Sequence, residues 1–356
     1  MAINIGALFA PTAAIGVMNW AQSSLGYTKA DSYHFAFAVA CVSVIASILV
    51  YYIGKSTFAH VAGAQKKADK QVKEVKTVEV PAEKDTKERI VCLCLVFAVV
   101  IFFWMAFHQN GLTLTWFADE YTAQESTGIE SMMFDVRNLL ACIFIVYGLF
   151  GLAQTKGTMR ILPAVLVLVS MLFLYNMVPL PDVVTKVDAP IFQQFNACFV
   201  VMLTPVSIAF FNWLGKKGKE PKAPVKIGLG MIVAAAAYLM LTLACIGLPA
   251  ADPKNHVHQA DLAPMLLVNT YLILTLAELL LSPIGISFVT KVAPAKYKGK
   301  MMGGWYVATA IGNKLVGIPG RMWGMDLTIV WGTLMFICLL AAIFIFSIIK
   351  KLNKVS

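Results

Sequence analysis

The sequence predicts an all-α, polytopic membrane protein with a bundle of about ten transmembrane helices. Three observations carry that prediction. Of the 356 residues, 59% are hydrophobic and 13% charged, whereas an average soluble domain is nearer half apolar and a quarter charged. The charges leave long runs empty. The basic residues gather in alternate connecting segments.

The empty runs define the elements. Ile90 to Ala118 holds no acidic or basic residue apart from one histidine, and Ile161–Pro181, Ala189–Gly215, Ile227–Ala251 and Leu327–Ile349 hold none at all. Each is long enough for the roughly 20 residues that a helix needs to cross a hydrocarbon core. A helix on the surface of a soluble protein carries a polar stripe, and none is visible here. In chain order the expected spans are 2–20, 33–54, 90–117, 133–154, 161–180, 191–214, 226–248, 264–289, 301–319 and 327–349.

Orientation follows from the Lys/Arg bias of short loops. With Lys350, Lys351 and Lys354 placed in the cytoplasm, the segments 55–89, 156–160, 216–226 and 291–300 fall on the same side, and together these hold 23 of the 29 basic residues. The opposite side receives Asp119, Glu120, Glu125, Glu130, Asp182, Asp188, Asp252 and Asp261. The net charge of +10 is thereby read as membrane topology. Nucleic-acid binding would need the basic residues on one folded face, and these are divided among short loops. Residues 55–89, with nine basic and six acidic side chains, read as a solvated cytoplasmic linker that divides the chain into 1–54 and 90–356.

The seven cysteines all lie in apolar stretches, without a Cys-x-x-Cys pair, and read as packing residues. The sequence offers no metal site, no cofactor motif and no Ser-His-Asp arrangement, so an enzyme is not expected.

Few polar groups remain inside the spans. Glu278 is the only charged residue between Asp261 and Lys291. A carboxylate deep in lipid is costly unless it faces water or a partner, which marks it as functional. Ser282 lies four residues on, on the same helix face, and Pro283 then removes a backbone donor. His108 is the only ionisable group in its span, with Trp104 one turn earlier. Histidine changes charge near neutral pH, which suits proton coupling. The plainer alternative is a neutral ring bonded to Gln109 or a neighbouring helix. Trp104 and Trp305 either wall a pocket or pack helices. Asn4 and Asn196 are amides in apolar helices and must point inward, to a ligand or to another helix. Gly303, Gly304, Gly312 and Gly317 would let the penultimate span approach its neighbours closely.

Four segments carry a family resemblance. AINIGALFAP at the start, FFWMAFHQNGLTLTWFAD at 102–119, FQQFNACFVVMLTP at 192–205 and the forty residues of 278–317 resemble, in order, the fifth, seventh, eighth, and tenth to eleventh helices of the proton-dependent oligopeptide transporter family of the major facilitator superfamily. The resemblance implies a proton-coupled symporter of di- and tripeptides working by alternating access, with protons as coupling ion, no cofactor, and an address in the cell (inner) membrane. It implies that Glu278 meets the peptide's amino terminus with Ser282 beside it. Asn4 and Asn196 would hold peptide backbone and carboxylate, Trp104 and Trp305 would line the cavity, and His108 and Glu278 would take part in proton coupling. Residues 1–54 then correspond to two helices of an N-terminal bundle. Residues 90–356 correspond to a C-terminal six-helix bundle with a two-helix insertion at about 133–180. Counterparts of the family's first four helices are absent, which implies an N-terminally truncated copy; the alternative is a non-transporting fragment. Two departures stand out: His108 replaces the seventh-helix glutamate, and Asn196-Ala197 replaces an Asn-Pro.

Overall fold

The computed structural model describes residues 2–57, 86–180 and 183–355. Most of the expected linker, 58–85, lies outside the described residues. Within them the chain forms two compact units, one of Met1–Phe9 with Lys87–Ser356, the other of Ala10–Thr86.

The smaller unit is a helical hairpin. Helix α1 (Ala2–Leu25) and helix α2 (Lys29–Ile53) are separated by a turn in which Gly26 adopts φ 72°, a left-handed conformation open to glycine. Thr28 caps α2 by accepting from the Asp31 N–H. Trp20 meets Phe35 edge-on at 6.3 Å, and Gln22 Nε2 donates to Ser32 Oγ at 3.0 Å. Beyond these contacts α2 exposes Val42, Val44, Ile45, Ile48 and Leu49. An apolar helix clothed in apolar side chains on every side belongs in lipid or among other helices.

After the first residues of α1, the larger unit continues with α3 (Thr86–Phe107). The expected continuous span 90–117 is broken here. A 3-10 turn at His108–Gly111 separates α3 from α4 (Thr113–Tyr121). Asn110-Gly111 is a pair of poor helix formers, and the Gln109 side chain secures the break. Its Nε2 donates to Met105 O at 3.0 Å and to Val316 O at 3.2 Å, and its Oε1 accepts from Thr113 Oγ1 at 2.7 Å.

Helices α5 (Val136–Gln154) and α6 (Ile161–Asn176) form a hairpin packed through Gly148 and Gly151 onto Pro163 and Val167. Then come α7 (Gln193–Lys216), α8 (Ala223–Ala244), α9 (Pro264–Val292), α10 (Lys298–Leu315) and α11 (Leu327–Ser347). Helix α8 lies between α9 and α11, α9 also contacts α7 and α10, and α5 contacts α7. At one end a two-stranded antiparallel ladder pairs β1 (Glu125–Thr127) with β2 (Val184–Lys186). At another Lys354 pairs with Glu88 at 3.2 Å.

Nine helices among the described residues are long and apolar enough to cross a membrane. The span expected at 301–319 is not one of them. Helix α10 is 18 residues long and carries Lys298, Lys300 and Lys314, and a separate short helix Gly317–Arg321 follows it. Its apolar contacts come from glycines instead. A Cβ at Gly304 would lie 2.8 Å from the Phe97 ring, and one at Gly312 2.7 Å from Ile101 O. Gly303 and Gly317, expected in the same role, face open space. On the other side of α10, Trp305 lies over Gly285 of α9, where a Cβ would sit 2.2 Å from the indole.

Gly285→Ala must therefore displace Trp305, at an overpacking cost of about 1–3 kcal/mol. Thermal unfolding in detergent should show a lower Tm for Gly285→Ala. The double variant with Trp305→Phe should melt no lower than Trp305→Phe alone. Fully additive losses would show that the two side chains are not in this contact.

Candidate functional site

Helix α9 places Glu278 near the middle of its 29 residues. The side chain is half-buried and meets a donor from α7: Asn196 Nδ2 donates to Glu278 Oε2 at 3.1 Å. The same nitrogen donates to Thr275 Oγ1 at 3.0 Å, and the Thr275 hydroxyl donates to Tyr271 O at 2.7 Å. Two residues expected at the site from sequence, Glu278 and Asn196, are thus brought into direct contact. Glu278 is the lone acid of its span, yet it is not alone in its environment. Ser282 is half-buried one turn further along α9, and no hydrogen bond joins it to Glu278 among the described residues. Pro283 leaves the Leu279 carbonyl without its helical donor.

The end of α3 builds a second polar feature. The Trp104 and His108 rings, one turn apart at the end of α3, stack at 4.7 Å with 16° between their planes. Trp104 Nε1 and His108 Nδ1 are buried without a hydrogen-bond partner. Asn313 of α10 and the Trp104 carbonyl lie beside the His108 ring. Gly312, the neighbour of Asn313, makes that possible, since a Cβ there would lie 2.8 Å from Trp104 Cβ. Gln109 bonds elsewhere, as described above, and is not the partner of His108. Tyr271 of α9 donates to Asn110 O at 3.2 Å, so the helix that carries Glu278 is tied to the broken turn that begins with His108.

Two expected residues are placed apart from this arrangement. The Trp305 ring fills the seam between α9 and α10, edge-on to Phe97 at 6.5 Å. At 2% exposure it offers no face to a ligand in this conformation. Asn4 is half-buried on α1, and no hydrogen bond joins it to Asn196 or Glu278 among the described residues.

A third polar cluster was visible in sequence only as loop charge. Glu120, at the end of α4, is fully buried. Its Oε1 pairs with His256 Nδ1 at 2.7 Å and accepts from Trp323 Nε1 at 2.9 Å, while Oε2 is buried without a partner. Its backbone carbonyl accepts from the Gln259 and Ala260 N–H groups. Trp116 packs on both His256 and Trp323. The carboxylate thus fastens three separate stretches at one end of the bundle. Beside it, His258 sets Nδ1 3.0 Å from Asp119 O and Nε2 2.9 Å from Asp261 Oδ1. Both ring nitrogens face oxygen acceptors, and only an imidazolium can donate to both. Nothing in the sequence distinguishes Glu120 from Asp119; the distinction is the face of α4 on which each lies.

The profile of the POT family matches residues 1–80 and 169–322. It leaves out 81–168, which contains His108. The peptide transporter YePEPT of Yersinia enterocolitica is 27% identical over 287 residues, covering 78% of this chain and 40% of that protein. Dipeptide and tripeptide permease B of Salmonella typhimurium is 24% identical over 333 residues, covering 89% of this chain and 58% of that one. The chain therefore spans about half the length of these relatives. A crystal structure of peptide transporter POT in complex with sulfate superposes with a TM-score of 0.59 at 18% identity, over 99% of this chain and 66% of that one. One of a POT family transporter in complex with a thioalcohol conjugated peptide gives 0.52 at 17%, over 91% and 55%. At these identities the structures establish the fold alone: a multi-pass helical bundle of that type.

The His258 contacts carry a pH dependence. The Asp119 carbonyl holds the imidazolium and raises its pKa above the usual 6.5; partial desolvation opposes this, and Asp261 adds to it. A group whose folded pKa is raised contributes stability that is complete below its unfolded value and lost as pH rises through the folded one. Hydrogen exchange at residues 256–262, corrected for intrinsic rates, should therefore accelerate as pH rises above 6.5. His258→Gln should remove that dependence, and an unchanged profile in the variant would assign it to another group.

Proposed function

The chain belongs to the POT family, and from that premise we propose that it forms part of a proton-coupled symporter of di- and tripeptides. In this reading residues 90–356 are the C-terminal bundle, with 133–180 as an inserted hairpin, and residues 1–54 belong to the N-terminal bundle. Alternating access moves the peptide across the membrane around a central site. The lysine-rich C-terminus and the segments 156–160, 216–226 and 291–300 face the cytoplasm of a cell whose inner membrane holds the protein. The Glu120 cluster then lies at the outer end. The reading involves no catalytic step and no cofactor.

One observation carries the proposal: a carboxylate in the middle of an apolar helix has one oxygen engaged by Asn196 and the other without a hydrogen bond among the described residues. A peptide ammonium entering a dry cavity loses its water and needs a counter-charge. Glu278 Oε1 supplies it. Asn196 and Ser282 stand where further peptide groups would pass, and Trp104 gives the neighbouring wall an apolar face. His108 is the proton-coupling candidate, on the turn that Tyr271 of the Glu278 helix reaches through Asn110 O. Its unpartnered Nδ1 offers a site where a proton can be taken up or released. Each proton moving inward contributes about 2.3 kcal/mol per 100 mV of membrane potential.

A second reading is that this stretch is a non-transporting fragment of such a transporter. Reconstituted vesicles with an inward proton gradient separate the two. Uptake by this chain alone overturns the second reading. Uptake only when the chain is extended upstream to the relatives' length supports the second.

In either case, Glu278→Gln should weaken binding of a free dipeptide by about 10- to 100-fold, the worth of one hydrogen bond to a charged partner. Binding should be measured by calorimetry or by scintillation proximity. His108→Gln should leave binding within a few-fold while flattening the response of uptake to a proton gradient. Unimpaired binding by Glu278→Gln would remove the basis of the assignment.

A further inference from the structure

We propose that Thr275 is a positioning residue, which fixes the Asn196 side chain so that its N–H face, and not its C=O, meets Glu278. The inference rests on the reading of Glu278 as the group that meets the peptide's amino end, and it adds a residue that the family likeness of the sequence does not single out.

Thr275 is fully buried. Its hydroxyl has a single hydrogen, and this goes to Tyr271 O, one turn back on α9, at 2.7 Å. Only lone pairs remain for Asn196. The 3.0 Å contact between Thr275 Oγ1 and the Asn196 amide is therefore favourable only when the amide presents nitrogen. That nitrogen has two hydrogens, and the second is 3.1 Å from Glu278 Oε2. Thr275 and Glu278 are three residues apart, so both acceptors lie on the same face of α9, and a single NH₂ group bridges them.

Turning the amide over would set Asn196 Oδ1 against two acceptors. Thr275 could receive it by swinging its hydrogen away from Tyr271 O. An ionised Glu278 could not, because two oxygens without a hydrogen between them repel. A protonated Glu278 could, since its O–H would donate to Oδ1. Amide orientation and the proton on Glu278 are thus linked. Nitrogen inward goes with the carboxylate that a peptide ammonium needs, and oxygen inward goes with the carboxylic acid. Thr275 weights this balance toward the first arrangement. Removing its lone pairs removes that weight without touching Glu278, Asn196 or any ligand.

The test uses the full chain in lipid nanodiscs, with infrared difference spectra of the carboxylic-acid C=O band. The Glu278 contribution is assigned by its loss in Glu278→Gln. Thr275→Val keeps the shape and loses the lone pairs. At fixed neutral pH it should show about three- to tenfold more of the assigned band than the parent, as expected for loss of one hydrogen bond's bias. Thr275→Ser, which restores the hydroxyl, should match the parent. Should the valine variant fail to fold, Thr275→Cys, with its weakly accepting thiol, makes the same comparison. With Asn196→Leu in the background, the change at 275 should have no further effect. Equal bands in parent and variant, including no band in either, would overturn the inference; so would an effect that survives Asn196→Leu.

A second readout separates this inference from the reading beneath it. The ratio of affinities for a dipeptide and its N-acetylated form should fall in Thr275→Val and recover in Thr275→Ser. If Glu278→Gln leaves that ratio unchanged, the assignment of the peptide's amino end to Glu278 fails. The infrared comparison still decides the role of Thr275.

Discussion

A carboxyl group in the middle of an apolar helix has to be met by a donor, because lipid and packed side chains offer none in place of water. In this chain the donor comes from the next helix over, through Asn196 of α7. That contact sets the registration of α7 against α9. It also determines what can stand on either side of it. Tyr271 sits two turns before Glu278 and reaches the turn at 108–111 through Asn110. Gly285 sits two turns after Glu278 and receives the Trp305 ring. One helix thereby holds the acid, the tie to the histidine turn and the socket for α10 in fixed order.

The glycines of α10 complete this frame. A helix with three lysines in 18 residues has little apolar surface with which to hold its place. It compensates by approaching closely, since Gly304 and Gly312 bring its backbone against Phe97 and Trp104. Small residues of this kind let dispersion contacts between backbones do what solvent exclusion cannot do among lipid tails. The consequence at the site is specific. Asn313, next to Gly312, is carried to the His108 ring, and the stacked Trp104–His108 pair becomes part of a wall shared by two helices.

The sequence made these features legible to different degrees, for physical reasons. Charge-free runs of about 20 residues have few alternatives to spanning helices, so nine of the expected spans are found as apolar helices. The tenth shows the limit of that rule, because helix α10 is held by close glycine contacts and not by hydropathy. Glu278 stood out because an isolated acid in an apolar run is rare. Its bond to Asn196 was not legible, since it joins residues 82 positions apart. The break after Phe107 left a weak local trace in Asn110-Gly111, but its stabilising bond runs from Gln109 to Val316, across 207 positions. Trp305 could have lined a cavity or filled a seam. Only the position of Gly285 decides between them, because its missing side chain makes room for the indole.

The Glu120 cluster extends the same reasoning to the end of the bundle. In sequence Glu120 is one of eight acids expected on one side of the membrane, and nothing separates it from the other seven. Folded, it is fully buried, with His256 and Trp323 on one oxygen and two backbone N–H groups on its carbonyl. A buried carboxylate without donors would cost more than the loop could offset, so the stretches around 256 and 323 have to close over it together. This makes α4 a strut between two polar anchors. Its first turn is bound to Gln109 through Thr113, and its last residues are bound under the loops through Glu120. The acid that a topology argument counts as a surface charge is a buried anchor at one end of α4.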